Sequence, residues 1–377
     1  MPDLAPLGRR FDDWLHTHAL PLWWERGADH VRGGFFDLLD QAGNPVDSPR
    51  RARVQARQSW VYGVAGEMGW TGPWQKAAEQ GLAFLSAHQQ RPDGQFSTKA
   101  AADGTVLDET AFLYDQTFIL LALAQQHKVM RSGAAEKALA LLKAIAAARR
   151  HGTGGFVEDG QQPFQSNPLM HFFEAALAWC ETGHDGAWDR LADELAELCL
   201  SRLIDPASGA IAEYFDADWR PLPAGGAQHL EPGHQFEWAW LLGRWSRLRN
   251  HAGALDAARR LFQAGMRGVD AVRQVAIFEM SLDFAITQPM ARLWAQAERI
   301  KAALLLMETA TGSERARYQD GAAAAGAALW RYLETPLPGL WHDRMTTDGD
   351  FIAEPAPASS FYHIICCISV LRAGVRA

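Results

Sequence analysis

Cysteine is scarce in this chain of 377 residues: there are four, Cys180, Cys199, Cys366 and Cys367, with no CxxC pair among them. Cys366 and Cys367 are neighbours on one predicted helix and point apart. This excludes a disulfide-stapled scaffold and predicts reduced, structural thiols in a cytoplasmic protein. Long hydrophobic runs are also missing. The longest, such as Phe361 to Leu371, fall well short of the roughly 20 residues a membrane-spanning helix needs. No charged-then-apolar signal opens the chain, where Met1 to Arg26 mixes Trp, Leu and charge as a soluble helix does. Nor is positive charge in excess. A formal net charge of −8 argues against nucleic acid or an anionic membrane as partner. Low-complexity tracts and linkers are absent, and one domain over residues 1–377 is expected.

What is present is apolar content, at 48%, with 15 tryptophans, enough to build a large core. Strand signals are few. Apolar residues recur at three- and four-residue spacing and predict twelve helices. The first six are Leu7–Glu25, Ala52–Gly69, Gly72–Gln89, Glu109–His127, Gly133–Arg150 and Leu169–Thr182. The rest are Ala187–Leu203, Gly233–Asn250, Gly253–Gly268, Pro289–Met307, Ser313–Leu333 and Ser359–Ala373. Segments such as Glu109–His127 and Gly233–Asn250 are apolar nearly all round and predict an inner layer; the amphipathic ones predict an outer layer.

Between helix pairs a loop recurs with Gly or an acidic residue around an aromatic or aliphatic one. Anchored on Phe35, Phe96, Phe156, Ile211, Ile277 and Trp341, the spacings are 61, 60, 55, 66 and 64 residues. A nearly constant period means a repeat architecture. Each hairpin buries its face only against neighbours, and the terminal ones carry no polar cap, so a closed ring is expected. The expected fold is all-α, an (α/α)6 barrel with short β-hairpin loops gathered at one end.

Three helix beginnings carry a histidine. Leu230 to Gly243 reads LEPGHQFEWAWLLG, with Pro232 where a missing N–H is harmless and His234 and Glu237 on one face. Asn167 to Ala178 reads NPLMHFFEAALA and repeats the HxxE pair as His171 and Glu174. Ser359 to His363 reads SSFYH. In a ring these turns converge on one cleft, joined by Arg57 and Trp60 of QARQSW, Tyr114 and Asp115 of FLYDQTF, and Trp294 and Glu298 of RLWAQAERIKA. Imidazoles can move protons near neutrality, a carboxylate can hold an imidazole in one tautomer, and a permanent cation can stabilise an oxyanion. Tryptophan faces can hold a sugar ring. The set fits proton transfer on a neutral, polar substrate.

Plainer readings stand beside these. Arg57 can be a helix salt-bridge partner, Tyr114 and Asp115 structural, and Trp238, Trp240, Trp245 and Trp330 simply core. Arg50, Arg51 and Arg53 read as a solvated basic run, with an anionic group at the ring mouth as the alternative. The HxxE pairs and His363 could form a His/carboxylate metal shell, but the spacing is neither HExxH nor a cysteine framework, and no metal is expected.

Together QARQSW, NPLMHFFEA, EPGHQFEWAWLL, RLWAQAERIKA and SSFYH resemble the N-acylglucosamine 2-epimerase superfamily, which includes cellobiose 2-epimerases and mannose isomerases. The resemblance spans nearly the whole chain. It implies an (α/α)6 barrel and cofactor-independent catalysis through a cis-enediolate. It further implies a general base at sugar C2 for His363, a second acid/base for His234, contact with the reacting oxygens for Arg57, and support of its histidine for Glu237. His171, Glu174, Trp60, Tyr114, Asp115, Trp294 and Glu298 are assigned to substrate binding. N-acylglucosamine epimerases typically lack the first HxxE histidine, present here as His171, which favours the isomerase and cellobiose-epimerase branches. The expected activity is aldose–ketose isomerisation of a free hexose, D-mannose to D-fructose, with 2-epimerisation of a free or β-1,4-linked hexose as the alternative. A glycoside hydrolase using Glu174 and Glu237, and a non-catalytic sugar-binding module, are the remaining readings.

Overall fold

A computed structural model describes residues 3–131, 133–183, 186–223 and 228–376. Its helices, in chain order, begin with α1 (Ala5–Trp14, prolonged by π-helical turns at Leu15–Ala19 and Trp23–Gly27), α2 (Ala52–Glu67) and α3 (Trp74–Phe84, ending in a π-helical turn at Leu85–Gln89). Next come α4 (Leu113–Met130), α5 (Ala134–Arg149), α6 (Ser166–Glu181) and α7 (Gly186–Leu198, again with a π-helical turn at Cys199–Leu203). The last five are α8 (Pro232–Arg249), α9 (Ala252–Met266), α10 (Leu293–Thr309), α11 (Gly312–Leu333) and α12 (Ser359–Arg376).

The even-numbered helices form the inner ring. Each packs on the next, and α12 closes back onto α2. The odd-numbered helices lie outside, α3 against α2, α5 against α4, and so on round to α1 against α12. The molecule is an (α/α)6 barrel. Composition explains the two layers: α10 is buried from Leu293 to Met307 without a break, whereas α9 buries the stripe of Ala254, Ala257, Ala258, Leu261 and Phe262. Each fully buried leucine in these stripes contributes about 1.5–3 kcal/mol. Close approach needs glycine at Gly81, where a Cβ would stand 2.1 Å from the backbone oxygen of Gln55.

A repeated clamp ties loops to the inner ring. Gln55 accepts from the N–H of Phe35 at 2.7 Å and donates to its carbonyl at 2.9 Å. Gln116 does the same to Phe96, Gln235 to Ile211 and Gln296 to Ala276. On α6 the residue after His171 is Phe172, which meets Phe156 edge-on at 4.9 Å instead.

Short strands fringe the end at which the inner helices begin. β1 (Leu38–Leu39) pairs with β8 (Ala356–Pro357). A three-stranded sheet joins β2 (Arg50–Arg51), β3 (Lys99–Ala100) and β4 (Val106–Asp108), and another joins β5 (Ile277–Met280), β6 (Ile286–Arg292) and β7 (Arg344–Met345). β2 runs directly into α2, and β6 into α10.

Some boundaries differ from expectation. α10 begins at Leu293 rather than at Pro289, because Ile286–Arg292 pairs on both sides; Pro289 falls where the β5–β6 register shifts, a place that tolerates a missing N–H. α4 starts at Leu113 rather than Glu109 and runs on to Met130. α6 starts at Ser166, so Pro168 lies in its first turn. Among the described residues no helix is long and apolar enough to cross a membrane. All four cysteines are free thiols.

Candidate active site

The inner-helix beginnings surround a cavity of about 480 Å³. Its lining includes Arg57, Tyr114, His171, His234, Glu237, Trp294 and His363, contributed by five of the six inner helices and, with His363, the sixth. Three imidazoles from far-apart segments therefore face one space.

Each imidazole has a carboxylate on Nδ1. His363 donates to Glu298 at 2.8 Å, His234 to Glu213 at 2.9 Å, and His171 to Glu174 at 3.2 Å. Such a partner fixes the tautomer and leaves Nε2 as the nitrogen available to a bound molecule. Trp294 links two of them, its ring centroid 5.0 Å from His234 and 5.6 Å from His363. Gly233 makes room for that ring: a Cβ there would lie 2.4 Å from it.

Arg57 is buried at 5% exposure and held by three contacts. It donates to Tyr114 Oη at 2.9 Å and to the Ser359 carbonyl at 3.2 Å, and lies over the Phe118 ring at 3.9 Å. The tyrosine and the arginine thus orient each other at the cavity wall.

Electrostatics divide the imidazoles. Burial pushes His363 well below the usual 6.5, helped by the charges of Arg57 and Lys301, so it is neutral at pH 7. Burial likewise takes His171 down to about 4. Burial would lower His234 too, but the carboxylates of Glu213 and Glu231 outweigh it and raise its pKa to about 10. A neutral imidazole and an imidazolium therefore share one cavity.

Four predicted residues lie elsewhere. Glu174 and Glu298 sit beneath their histidines and do not line the cavity. Asp115 is fully buried, accepting from Thr98 Oγ1 at 2.5 Å and from Arg53 at 3.1 Å. Trp60 lies a turn deeper, against Tyr362 at 5.0 Å, and borders a separate cavity of about 410 Å³ at the far end of the barrel. The expected pairing of Glu237 with His234 is replaced. Glu237 lies 3.8 Å from His171 Nδ1, and Glu213 takes its place at His234. Both Glu237 oxygens are buried without a hydrogen-bond partner among the described residues, and burial, with the nearby Glu298, raises its pKa well above the usual value.

Two residues of the site escaped the sequence reading. Glu213 comes from the loop before α8 and also accepts from Ser166 at the start of α6. Lys301, with no exposed surface, sits 2.6 Å from Glu298 and 3.8 Å above the Trp240 ring. The basic run is not solvated either: Arg50 is buried against Asp29, while Arg51 and Arg53 line the cavity.

Three groups have the donor chemistry of a divalent-cation site: His171 with Glu174 and Glu237, Glu213 with Glu231 and His234, and Glu237 with Glu298 and His363. In the last of these Lys301 already places a positive charge on Glu298.

Residues 34–367 match the family model of N-acylglucosamine 2-epimerase (GlcNAc 2-epimerase), and the chain belongs to that family. It is an enzyme of the sugar isomerase and epimerase type. A Rhizobium meliloti (strain 1021) protein named mannose-6-phosphate isomerase is 45% identical over 367 residues, covering 95% of each chain. A D-mannose isomerase of Thermobifida fusca is 28% identical, with 88% of this chain and 86% of that one covered. The cellobiose 2-epimerase structure from Spirochaeta thermophila DSM 6192 shares the fold at TM-score 0.88 and 21% identity, covering 99% of this chain and 97% of that one.

Proposed function

We propose that the protein interconverts an aldose and a ketose by cofactor-independent proton transfer through a cis-enediolate, D-mannose to D-fructose being the leading case. The observation that carries this is the convergence of His363 and His234 on one cavity, each against Trp294 and each with its own carboxylate on Nδ1, with burial lowering the pKa of the first and carboxylates raising that of the second. Carboxylate-tuned groups pushed apart in pKa mark an acid and a base.

In this reading the open-chain aldose lies against Trp294. Neutral His363 removes the C2 proton; the C–H electron pair forms the C1–C2 double bond, and the C1–O1 π pair moves onto O1. Arg57 and the His234 imidazolium stabilise the negative charge that develops on O1 and O2. The hydroxyl proton of O2 then passes to O1, the O2 electron pair forms the ketose carbonyl at C2, and the C1–C2 π pair takes the proton back from His363 at C1. Glu298, Glu213 and Glu174 position the imidazoles, and Tyr114 positions Arg57. Relatives named mannose isomerases support the substrate class, and a cytoplasmic location suits free thiols.

The second reading is 2-epimerisation, favoured by a second imidazole, His234, that bears a proton in the same cavity and could return one to C2. The hydrolase reading loses one of its two carboxylates, because Glu174 does not line the cavity. Incubation with mannose in D2O, followed by NMR, separates these. Fructose with deuterium exchange supports isomerisation; glucose without fructose rejects it for epimerisation; no exchange with any hexose rejects both.

A further inference from the structure

At the mouth of the cavity, above the imidazoles, stand Arg51, Arg53 and Arg292. Each is aimed by a buried carboxylate: Arg51 Nε on Asp37, Arg53 Nη1 on Asp115 at 3.1 Å, and Arg292 Nε and Nη2 on Asp343 at 3.3 and 3.0 Å. Their side chains keep 29%, 25% and 34% of their surface, so the outer edges are reachable. Among the described residues no bond is made by both terminal nitrogens of Arg51, by Nε and Nη2 of Arg53, or by Nη1 of Arg292.

Three of the four acids lining the same cavity are engaged, and the fourth, Glu237, lies beside His171. Glu158 accepts from the N–H groups of Leu113 and Tyr114, Asp159 pairs with Arg149 at 2.6 Å, and Glu231 faces His229 and His234. What the three arginines offer at the rim is five guanidinium nitrogens with no acceptor among the described residues. A sugar hydroxyl both donates and accepts; a phosphate at pH 7 carries about −1.5 to −2 charge and chiefly accepts, in the geometry a guanidinium matches. Along α2, which Arg51 precedes, the step from Arg57 back to Arg53 is roughly 6 Å at 1.5 Å per residue. That is about the length of an open hexose lying from its C1–C2 end outward.

Building on the isomerase reading, we propose that the substrate is a hexose bearing a phosphate monoester at the end remote from C1, with the phosphate seated between Arg51, Arg53 and Arg292. The donors are set before binding, because their carboxylate partners are buried, so little ordering is lost when the anion enters.

The test compares mannose with mannose 6-phosphate, and mannitol with mannitol 6-phosphate, at fixed ionic strength. The first pair is read by kcat/KM and the second, which cannot react, by calorimetric binding. A preference of about 10- to 100-fold for the phosphorylated member of each pair is expected, as for hydrogen bonds to a charged group. Inorganic phosphate should compete with mannose 6-phosphate. Arg53→Gln and Arg292→Gln should each cut the preference about tenfold, through KM rather than kcat. Equal handling of both members of each pair overturns the phosphate seat while leaving the isomerase reading intact. Tighter binding of mannitol 6-phosphate with no turnover of any hexose keeps the seat and removes the isomerase reading. Preference for mannuronate over mannose 6-phosphate overturns the phosphate assignment. The wild-type panel decides the matter even where a variant fails to fold.

Discussion

His234 donates a hydrogen bond from Nδ1 to Glu213, a loop residue 2.9 Å away, and not to Glu237, which lies one turn along its own helix. The loop that carries Glu213 thereby sets the charge of an imidazole on α8. Because Ser166 also donates to Glu213, the same carboxylate joins the beginnings of two inner helices.

Replacing Glu213 by Gln removes the strongest of the charges that raise the His234 pKa to about 10. We expect kcat to fall about 10²-fold, the lower end of what acid–base catalysis contributes. NMR titration of His234 should show its pKa dropping. Stability follows the same linkage. A raised imidazole pKa stabilises the fold fully below about 6.5 and loses that contribution as pH rises through about 10. In Glu213→Gln this alkaline decline should shrink, as measured by denaturant midpoints across that window.

The wild-type pH–rate profile has a stated shape. The base, His363, is already neutral well below 6.5, and the acid, His234, keeps its proton to about 10. The rate with mannose or its phosphate should be level through neutral pH and fall as pH passes about 10. His363→Asn should lower kcat by about 10²–10⁴-fold and abolish deuterium exchange at C2. A bell centred near pH 6 would contradict the assignment.

Lys301→Met should destabilise the barrel by about 3–5 kcal/mol, the cost of leaving a buried charge without its partner. Lys301 and Glu298 have no exposed surface and sit 2.6 Å apart. The reading is a lower denaturant midpoint at unchanged slope. A change under about 1 kcal/mol would mean that Glu298 takes up a proton at little cost.

Gly233→Ala should disturb Trp294 specifically. The added methyl would stand 2.4 Å from its ring, within the first turn of α8. Overpacking of this kind costs about 1–3 kcal/mol. Since Trp294 spans His234 and His363, KM should rise along with the loss in stability, and steady-state kinetics on the folded variant would register it.

Much of this was readable in one dimension. Apolar periodicity separates α10 from α9, and the regular spacing of loop anchors requires a ring. Histidines at three helix starts had to meet once the ring closed. Glu213 was hidden because a loop carboxylate has no periodicity to mark it. Lys301 was hidden for the opposite reason: Glu298 and Lys301 at i and i+3 look like any surface helix pair. Trp60 misled by proximity, since three residues past Arg57 is about 4.5 Å further down the barrel. The glutamines of QARQSW, FLYDQTF, HQFEW and WAQAER were in view but unread as the residues that fasten each loop.

Those four glutamine clamps have a consequence for how such a chain can change. Four of the loops are each pinned at one residue by a side-chain amide from the ring, besides the strand pairing that joins neighbouring loops. A rim segment can therefore lengthen, shorten or swap its side chains while the imidazoles below stay in register. Substrate range becomes a property of replaceable parts, and the proton chemistry, Glu213 apart, a property of the frame.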